Sequence, residues 1–216
     1  MIEDAMDVRE SYDSAADAYA QHLASELDRK PLDRHLLNRF AEATRGRGPV
    51  ADVGCGPGHI ARYLHDQGVT VLGIDLSPAM ITCAARLNAG LDFRVGDMRD
   101  LNLPSASLAG VIAFYSIVHF ASSELGSVMR EVRRVLADGA PALVSFHIGT
   151  EVVHVDDLFG APVNLDFRFH DPAVVVAAMR DAGLAVIEHV EREPYEGAEY
   201  PSRRCYLLAT AVRARP

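Results

Sequence analysis

A glycine-rich turn after a short apolar segment is the feature that most constrains the fold of this 216-residue chain. The segment Val50–Gly58 reads Val-Ala-Asp-Val-Gly-Cys-Gly-Pro-Gly, and a helical pattern begins at Ile60. Glycine is needed where the backbone takes a positive φ or comes within contact distance of a ligand. We therefore predict a strand, a turn and a helix, with Gly54, Gly56 and Gly58 as the floor of a cofactor site at the carboxyl end of a strand in an open α/β sheet.

An acidic residue, Asp52, lies two positions before the first glycine of this turn and bears on the charge of the cofactor. The spacing departs from the Gly-x-Gly-x-x-Gly fingerprint of dinucleotide-binding proteins, because the third glycine comes one residue early. A carboxylate would also repel a pyrophosphate, whereas it would attract a ligand that carries an ammonium and a sulfonium group. The turn therefore favours a cationic cofactor, and a nicotinamide-dependent oxidoreductase is the disfavoured alternative.

Two further apolar segments each carry an acidic residue at or near their end. Thr70–Asp75 ends in a carboxylate 21 residues after Gly54, a spacing at which Asp75 can accept hydrogen bonds from both ribose hydroxyls. Leu91–Met98 brings in Asp97 after a third predicted strand. A fourth apolar segment then runs into a loop that carries Phe114, Tyr115, Ser116 and His119.

These four elements together resemble the class I S-adenosylmethionine (SAM)-dependent methyltransferases, in particular small-molecule members of the methyltransferase-11/25 type. The pattern Asp-x-Gly-x-Gly-x-Gly is similar to their motif I, and the resemblance covers roughly residues 8–212. It implies an α/β, Rossmann-like fold whose seven-stranded, mostly parallel sheet has an antiparallel C-terminal strand and helices on both faces. It also implies SAM as the cofactor. The residues expected to bind SAM are Tyr12, Tyr19, Asp52, Gly54, Cys55, Gly56, Asp75, Leu76, Met80, Asp97, Met98, Phe114 and Tyr115.

The resemblance gives some of these residues individual roles. Asp97 would accept a hydrogen bond from the adenine amino group, and the backbone amide of Met98 would read the ring. The segment Tyr12–Tyr19 is similar to the family's first helix, where a tyrosine often reaches the methionine carboxylate. Both tyrosines fit equally well as core residues of an amphipathic helix. Cys55 is interpreted as a small residue of the turn, since methyl transfer needs no protein nucleophile.

His119 and His147 are the candidate catalytic residues. The resemblance places the donated methyl group on the side of the sheet where His119 follows the fourth predicted strand and His147 ends the fifth. A hydroxyl or a protonated amine must lose a proton when it is methylated, and either imidazole could accept that proton. The alternative for His119 is a structural histidine that fixes a loop by hydrogen bonding.

The rest of the chain is interpreted around this core as a single domain, 1–216. Residues 1–46 show two helical patterns that would cap the cofactor cleft, and Ser122 or Ser123 would cap the helix after the fourth strand. Residues 149–170 have no clear period and are predicted to form an irregular lid or substrate loop. The last two strands would form an antiparallel pair at the sheet edge. The loop between them carries four side chains that could contact a substrate: Tyr195, Tyr200, Arg203 and Arg204.

Net charge and composition limit the kinds of substrate and partner that this chain is expected to bind. The formal net charge is −9 and Lys30 is the only lysine, which argues against a nucleic-acid substrate because phosphate binding needs clustered cations. The chain has no run of about 18 apolar residues, so no membrane span is predicted. We expect no metal. The three cysteines form no Cys-x-x-Cys pair and cannot all pair with one another, which favours a cytoplasmic location.

The predicted function is methyl transfer from SAM to an O, N, S or C nucleophile of a small molecule, by a monomer or a homodimer. A non-catalytic SAM-binding partner or regulatory protein remains an alternative. Methylation of protein or RNA is a second alternative, which the negative charge and the lack of an Asn-Pro-Pro-Tyr-like tetrad at 114–117 disfavour.

Overall fold

A seven-stranded sheet forms the centre of the computed structural model, which describes residues 7–213. The strands of the described residues are β1 (Val50–Val53), β2 (Val71–Asp75), β3 (Asp92–Val95), β4 (Gly110–Phe114), β5 (Pro141–His147), β6 (Val152–Leu158), β7 (Ala161–Arg168), β8 (Leu184–Arg192) and β9 (Arg204–Ala211). Of these, β6 and β7 form a separate two-stranded sheet. The sheet order is β3-β2-β1-β4-β5-β9-β8, with β1 to β5 parallel and β9 antiparallel to both of its neighbours. The predicted fold class is confirmed. Residues 1–6 and 214–216 of the predicted domain lie outside the described residues.

The helices of the described chain lie on both faces of this sheet. They are α1 (Val8–Leu23), α2 (Pro31–Thr44), α3 (His59–Asp66), α4 (Pro78–Leu87), α5 (Leu125–Val135) and α6 (Pro172–Asp181), with short 3₁₀ helices at Glu26–Arg29 and Ile117–His119. Ala51 and Val111 belong to a core with α5 and α6, whereas Val50 and Ile112 belong to a second core with α2 and α3. The central strands are therefore buried on both sides, as parallel strands usually are. No helix within residues 7–213 is both long and apolar enough to cross a membrane.

The predicted start of α5 is wrong. Neither Ser122 nor Ser123 caps it: the helix begins after Glu124, which makes no side-chain cap to the helix amides. The Glu124 carboxylate instead accepts a hydrogen bond from the backbone amide of Ala121 at 2.8 Å. This contact closes the preceding turn around the two serines. In contrast, Ser77 caps α4, and its Oγ accepts from the Met80 amide at 3.0 Å.

Residues 149–170 form a β-hairpin of β6 and β7 rather than an irregular loop, which corrects the prediction. An irregularity of register between Val155 and Asp157 interrupts the alternation that marks a strand in sequence. The hairpin packs on α1, where Ala15 and Leu165 share a small apolar cluster. We call α1 and the hairpin together the cap.

Candidate active site

A cavity of about 370 Å³ opens at the carboxyl edge of the parallel strands, between the glycine turn and the cap. The thirteen residues expected to bind SAM and the two catalytic candidates line this cavity, although their individual roles remain predictions. They are Tyr12, Tyr19, Asp52, Gly54, Cys55, Gly56, Asp75, Leu76, Met80, Asp97, Met98, Phe114, Tyr115, His119 and His147. Gly58, which was also predicted as part of the cofactor floor, is not among the lining residues.

The backbone of the glycine turn leaves no room for side chains at two of its positions. Gly54 has φ of 73°, and a Cβ there would lie 2.3 Å from the Cβ of Ser116. Gly58 has φ of 81°, and a Cβ would lie 2.7 Å from the ring of Phe93. Positive φ and close approach therefore both require glycine here. The absent side chains make room for Ser116 and Phe93, and Gly54 and Gly56 bring bare backbone to the cavity as a glycine floor.

Asp75 at the end of β2 ties this floor to the beginning of α4. Its Oδ2 accepts from the Gly56 amide at 2.8 Å, and its Oδ1 accepts from the Ser77 amide at 2.9 Å. Burial raises the pKa of Asp75, and the backbone donors oppose that shift because they stabilise the carboxylate. Each carboxylate oxygen can accept a further hydrogen bond. Asp75 thus holds the turn in place and keeps acceptors for a ribose diol.

Asp52 lies on β1 with an oxygen that lacks a partner. The residue is 1% exposed, and its Oδ2 makes no hydrogen bond among the described residues. Burial raises the pKa of Asp52 to about 7, and the negative charge of Asp75 acts in the same direction while His59 opposes it. An unpaired buried carboxylate is costly, and a bound cation would relieve that cost. The site therefore fits a cofactor with a positive charge and would repel a pyrophosphate.

Asp97 follows β3, and its carboxylate is already engaged by Arg99. It accepts from the Arg99 amide at 2.8 Å and from the guanidinium Nη2 at 2.6 Å. These contacts hold the pKa of Asp97 below its usual range. Its predicted hydrogen bond to an adenine amino group would have to share the carboxylate with this guanidinium.

His119 joins the two parts of the cap to the sheet. Its Nδ1 lies 3.1 Å from the carbonyl oxygen of Asp166 in β7, and its Nε2 lies 2.8 Å from the hydroxyl of Tyr12 in α1. Because a carbonyl can only accept, Nδ1 carries the proton and Nε2 accepts from Tyr12. Burial lowers the pKa of His119 to about 4. The imidazole is therefore neutral near pH 7, and the lone pair on its Nε2 accepts the hydrogen bond from the Tyr12 hydroxyl.

His147 ends β5 on another wall of the cavity. Its Nδ1 lies 2.6 Å from the Ser202 hydroxyl, and its ring stacks on Phe169 with centroids 5.0 Å apart. Burial is the main cause that lowers the pKa of His147 to about 3, and the nearby cation of Arg204 adds to the effect. His147 is thus a neutral, tightly held side chain, and its predicted role as a base stays a prediction.

Sequence reasoning missed a group of charged residues on the cavity wall: Glu26, Lys30, His59 and Glu199. Lys30 offered one signal, because it is the only lysine of the chain. The others gave none, since their pairing joins α2, the 3₁₀ helix before it and the loop between β8 and β9. Phe159 at the hairpin tip and Phe167 in β7 also line the cavity, so the cap supplies aromatic surface as well.

Comparison with known proteins agrees with this site. A family model described as a methyltransferase domain matches residues 50–139. The chain is 30% identical to malonyl-(acyl-carrier protein) O-methyltransferase of Pseudescherichia vulneris over 76% of its length, and 32% identical to dTDP-3-amino-3,6-dideoxy-alpha-D-glucopyranose N,N-dimethyltransferase of Streptomyces fradiae over 74%. It spans 61% and 56% of these two relatives' own lengths.

A solved structure shares the fold. Geranyl diphosphate C-methyltransferase from Streptomyces coelicolor A3(2), in complex with Mg²⁺, geranyl diphosphate and S-adenosyl-L-homocysteine (SAH), superposes with a TM-score of 0.66 at 16% identity, covering 85% of this chain and 76% of that one. The sheet order, the glycine turn at the end of β1 and the matched family model agree with one another. The family model and the relatives support a class I SAM-dependent methyltransferase, a family whose cofactor is SAM.

Proposed function

We propose that this chain transfers the methyl group of SAM to a nucleophilic atom of a small molecule held in the cavity under the cap. The observation that carries the proposal is the buried carboxylate of Asp52, whose Oδ2 has no hydrogen-bond partner among the described residues, beside a glycine floor. A carboxylate next to bare backbone suits a cofactor that is positively charged and lies flat against the glycine floor. Asp75 would hold the ribose, and the residues after β3 would receive the adenine.

SAM supplies a methyl group that its own sulfonium charge already activates. The work left to the protein is to orient the acceptor and to exclude water, and orientation alone can contribute much of the rate. Tyr12 and Phe167 belong to the cap and line the cavity, so the cap covers the reacting region. A covered cavity of this size favours a small acceptor over a docked macromolecule, and the formal charge of −9 disfavours RNA.

The affinity for SAM is expected to depend on the protonation of Asp52. Its pKa of about 7 in the free protein should fall when a cation binds, so binding releases a proton and affinity falls as pH drops through 7. We expect affinity to decrease up to about 10-fold between pH 8 and pH 6. Calorimetric titration at both pH values measures this. Asp52→Asn should bind weakly at both, and a pH dependence that survives this change would assign it to another group.

His119→Ala is expected to lower kcat by about 100-fold for an acceptor that must lose a proton, because the lone pair on Nε2 is removed. The Kd for SAM should stay within about 2-fold, since SAM binding is proposed to rest on Asp52 and Asp75. His189→Ala serves as the control, because His189 lies exposed on the edge strand β8. Unchanged turnover in His119→Ala would reduce this histidine to a structural link between the cap and the sheet.

The proposed activity is tested directly by incubating the purified chain with SAM and a panel of small alcohols, amines, thiols and acids. Formation of SAH above the rate without acceptor supports methyl transfer. SAM binding with no turnover on any member would favour the non-catalytic alternative. Turnover on a protein or RNA but on no small molecule would overturn the small-molecule proposal.

A further inference from the structure

The charges on the cavity wall are divided between its two halves. The half over β1, β2 and β3 carries the carboxylates of Asp52, Asp75 and Asp97. The wall beside Tyr115 and His147 carries two buried cations, Lys30 and Arg204, together with the carboxylates of Glu26 and Glu199 that pair with them. Since the first half suits a cationic cofactor, this wall is left for the methyl acceptor.

Lys30 is the only lysine of the chain, and it is 5% exposed at the start of α2. Lysine is rarely buried, because its ammonium group loses hydration. Its Nζ pairs with Glu26 and lies 3.4 Å from Glu199. It also lies 5.5 Å from the ring centroid of Tyr115. Two carboxylates account for two of the three N–H donors, and the third is available on a wall that the cavity reaches.

Arg204 is the second cation and is 2% exposed. It begins β9 directly opposite His147 of β5. Its Nη atoms donate to the backbone carbonyls of Ser202 and Tyr200. Its Nε lies 3.0 Å from Glu199 Oε2 but makes no directed hydrogen bond. Arg204 is therefore a buried guanidinium that lines the cavity with one N–H unsatisfied.

Glu199 is shared among three cations, because Arg192 pairs with it as well as Lys30 and Arg204. Two further carboxylates, Glu26 and Asp33, pair with these cations, so the network contains three cations and three carboxylates. Glu26 also pairs with His59 at 2.9 Å. The three cations and the three carboxylates therefore balance in formal charge, and the position of each decides what His147 experiences. After burial, Arg204 and Lys30 are the next causes that lower the pKa of His147, and the opposing effect of Glu199 is smaller.

We infer that the methyl acceptor carries a carboxylate, which binds at the wall formed by Lys30 and Arg204. A carboxylate offers acceptor oxygens that match the third N–H of Lys30, and the buried guanidinium of Arg204 adds positive charge close by. The hydroxyl of Tyr115 and the ring of His147 border the same wall. This inference rests on the proposed function, and it names the class of acceptor as a small carboxylic acid.

The test compares acids with amides of equal size on the wild-type chain saturated with SAH. The probes are three pairs: butanoate and butanamide, benzoate and benzamide, and 3-phenylpropanoate and 3-phenylpropanamide. Ligand-observed NMR titration gives a Kd for each. We expect at least one acid to bind about 10-fold or more tightly than its amide. Equal binding within every pair, tighter binding of the amides, or binding of no probe would each overturn the inference.

Variants locate the effect. Lys30→Met should abolish the preference for the acid, whereas Lys30→Arg should keep it, and Arg62→Met is the control because Arg62 pairs only with exposed Asp66 on the outside of α3. A preference that persists in Lys30→Met overturns the assignment to this wall. If Lys30→Met does not fold, the wild-type comparison and Lys30→Arg still decide. Separate titration with SAM distinguishes the two proposals: SAM binding without acid preference overturns the inference alone, and absent SAM binding overturns the proposed function.

Discussion

Replacing Asp75 with alanine is expected to weaken SAM binding by about 2–4 kcal/mol, which is roughly a 30- to 1000-fold rise in Kd. The change removes the proposed acceptors for the ribose hydroxyls. It also removes the hydrogen bonds that Asp75 accepts from the amides of Gly56 and Ser77, so the glycine floor loses its tie to α4. Calorimetric titration of the variant with SAM measures the loss.

Asp92→Ala provides the matched control for this prediction. Asp92 lies at the start of β3, next to β2, and pairs with Arg94 on the exposed edge of the sheet. Removing its carboxylate leaves the cavity lining intact, so SAM affinity should stay within about 2-fold. If Asp75→Ala bound SAM as tightly as the wild type, the placement of β2 beside the cofactor would be contradicted.

Arg192→Met should lower the free energy of unfolding by about 3–5 kcal/mol, because it leaves the buried carboxylate of Asp33 without its ion-pair partner and takes one of three cations from Glu199. The Arg192 side chain is 10% exposed; it pairs with Asp33 at 3.0 Å and with Glu199. Its Nε also donates to the Tyr206 hydroxyl at 3.0 Å, and that hydroxyl donates to Asp33. Urea unfolding followed by circular dichroism gives the change.

Arg94→Met is the control for stability, since its ion pair with Asp92 is more than half exposed on both sides. An exposed pair contributes little, so this variant should unfold within about 0.5 kcal/mol of the wild type. Equal stability of Arg192→Met and Arg94→Met would mean that the buried network does not hold β8 and β9 to α2.

The cofactor side of the cavity could be predicted from sequence because its residues sit at the ends of strands or in the turns that follow. Asp52, Asp75 and Asp97 are fixed by short-range patterns, and a parallel sheet brings their strand ends to one edge. Acidic residues that follow successive strands in the sequence therefore lie close together in the fold. The same logic placed His119 and His147 in the cavity.

The acceptor side could be predicted only in part: Tyr200 and Arg204 were named as possible substrate contacts and line the cavity, whereas no such prediction was made for Lys30 and Glu199. Lys30, Glu199 and Arg204 come from distant segments whose contacts depend on how α2 and the loop between β8 and β9 fold back over the sheet. The hairpin at 149–170 was missed for a local reason, because its irregular register near Val155 hides the strand alternation. Short-range periodicity carries no information about either feature.

The most direct test of the proposed cofactor site is a calorimetric titration of the purified chain with SAM, with SAH and with NAD. We predict Kd values in the micromolar range for SAM and SAH and no detectable heat with NAD, because the buried carboxylate of Asp52 would repel a pyrophosphate. Binding of NAD without binding of SAM would contradict the assignment of the glycine floor and its carboxylates to a cationic methyl donor.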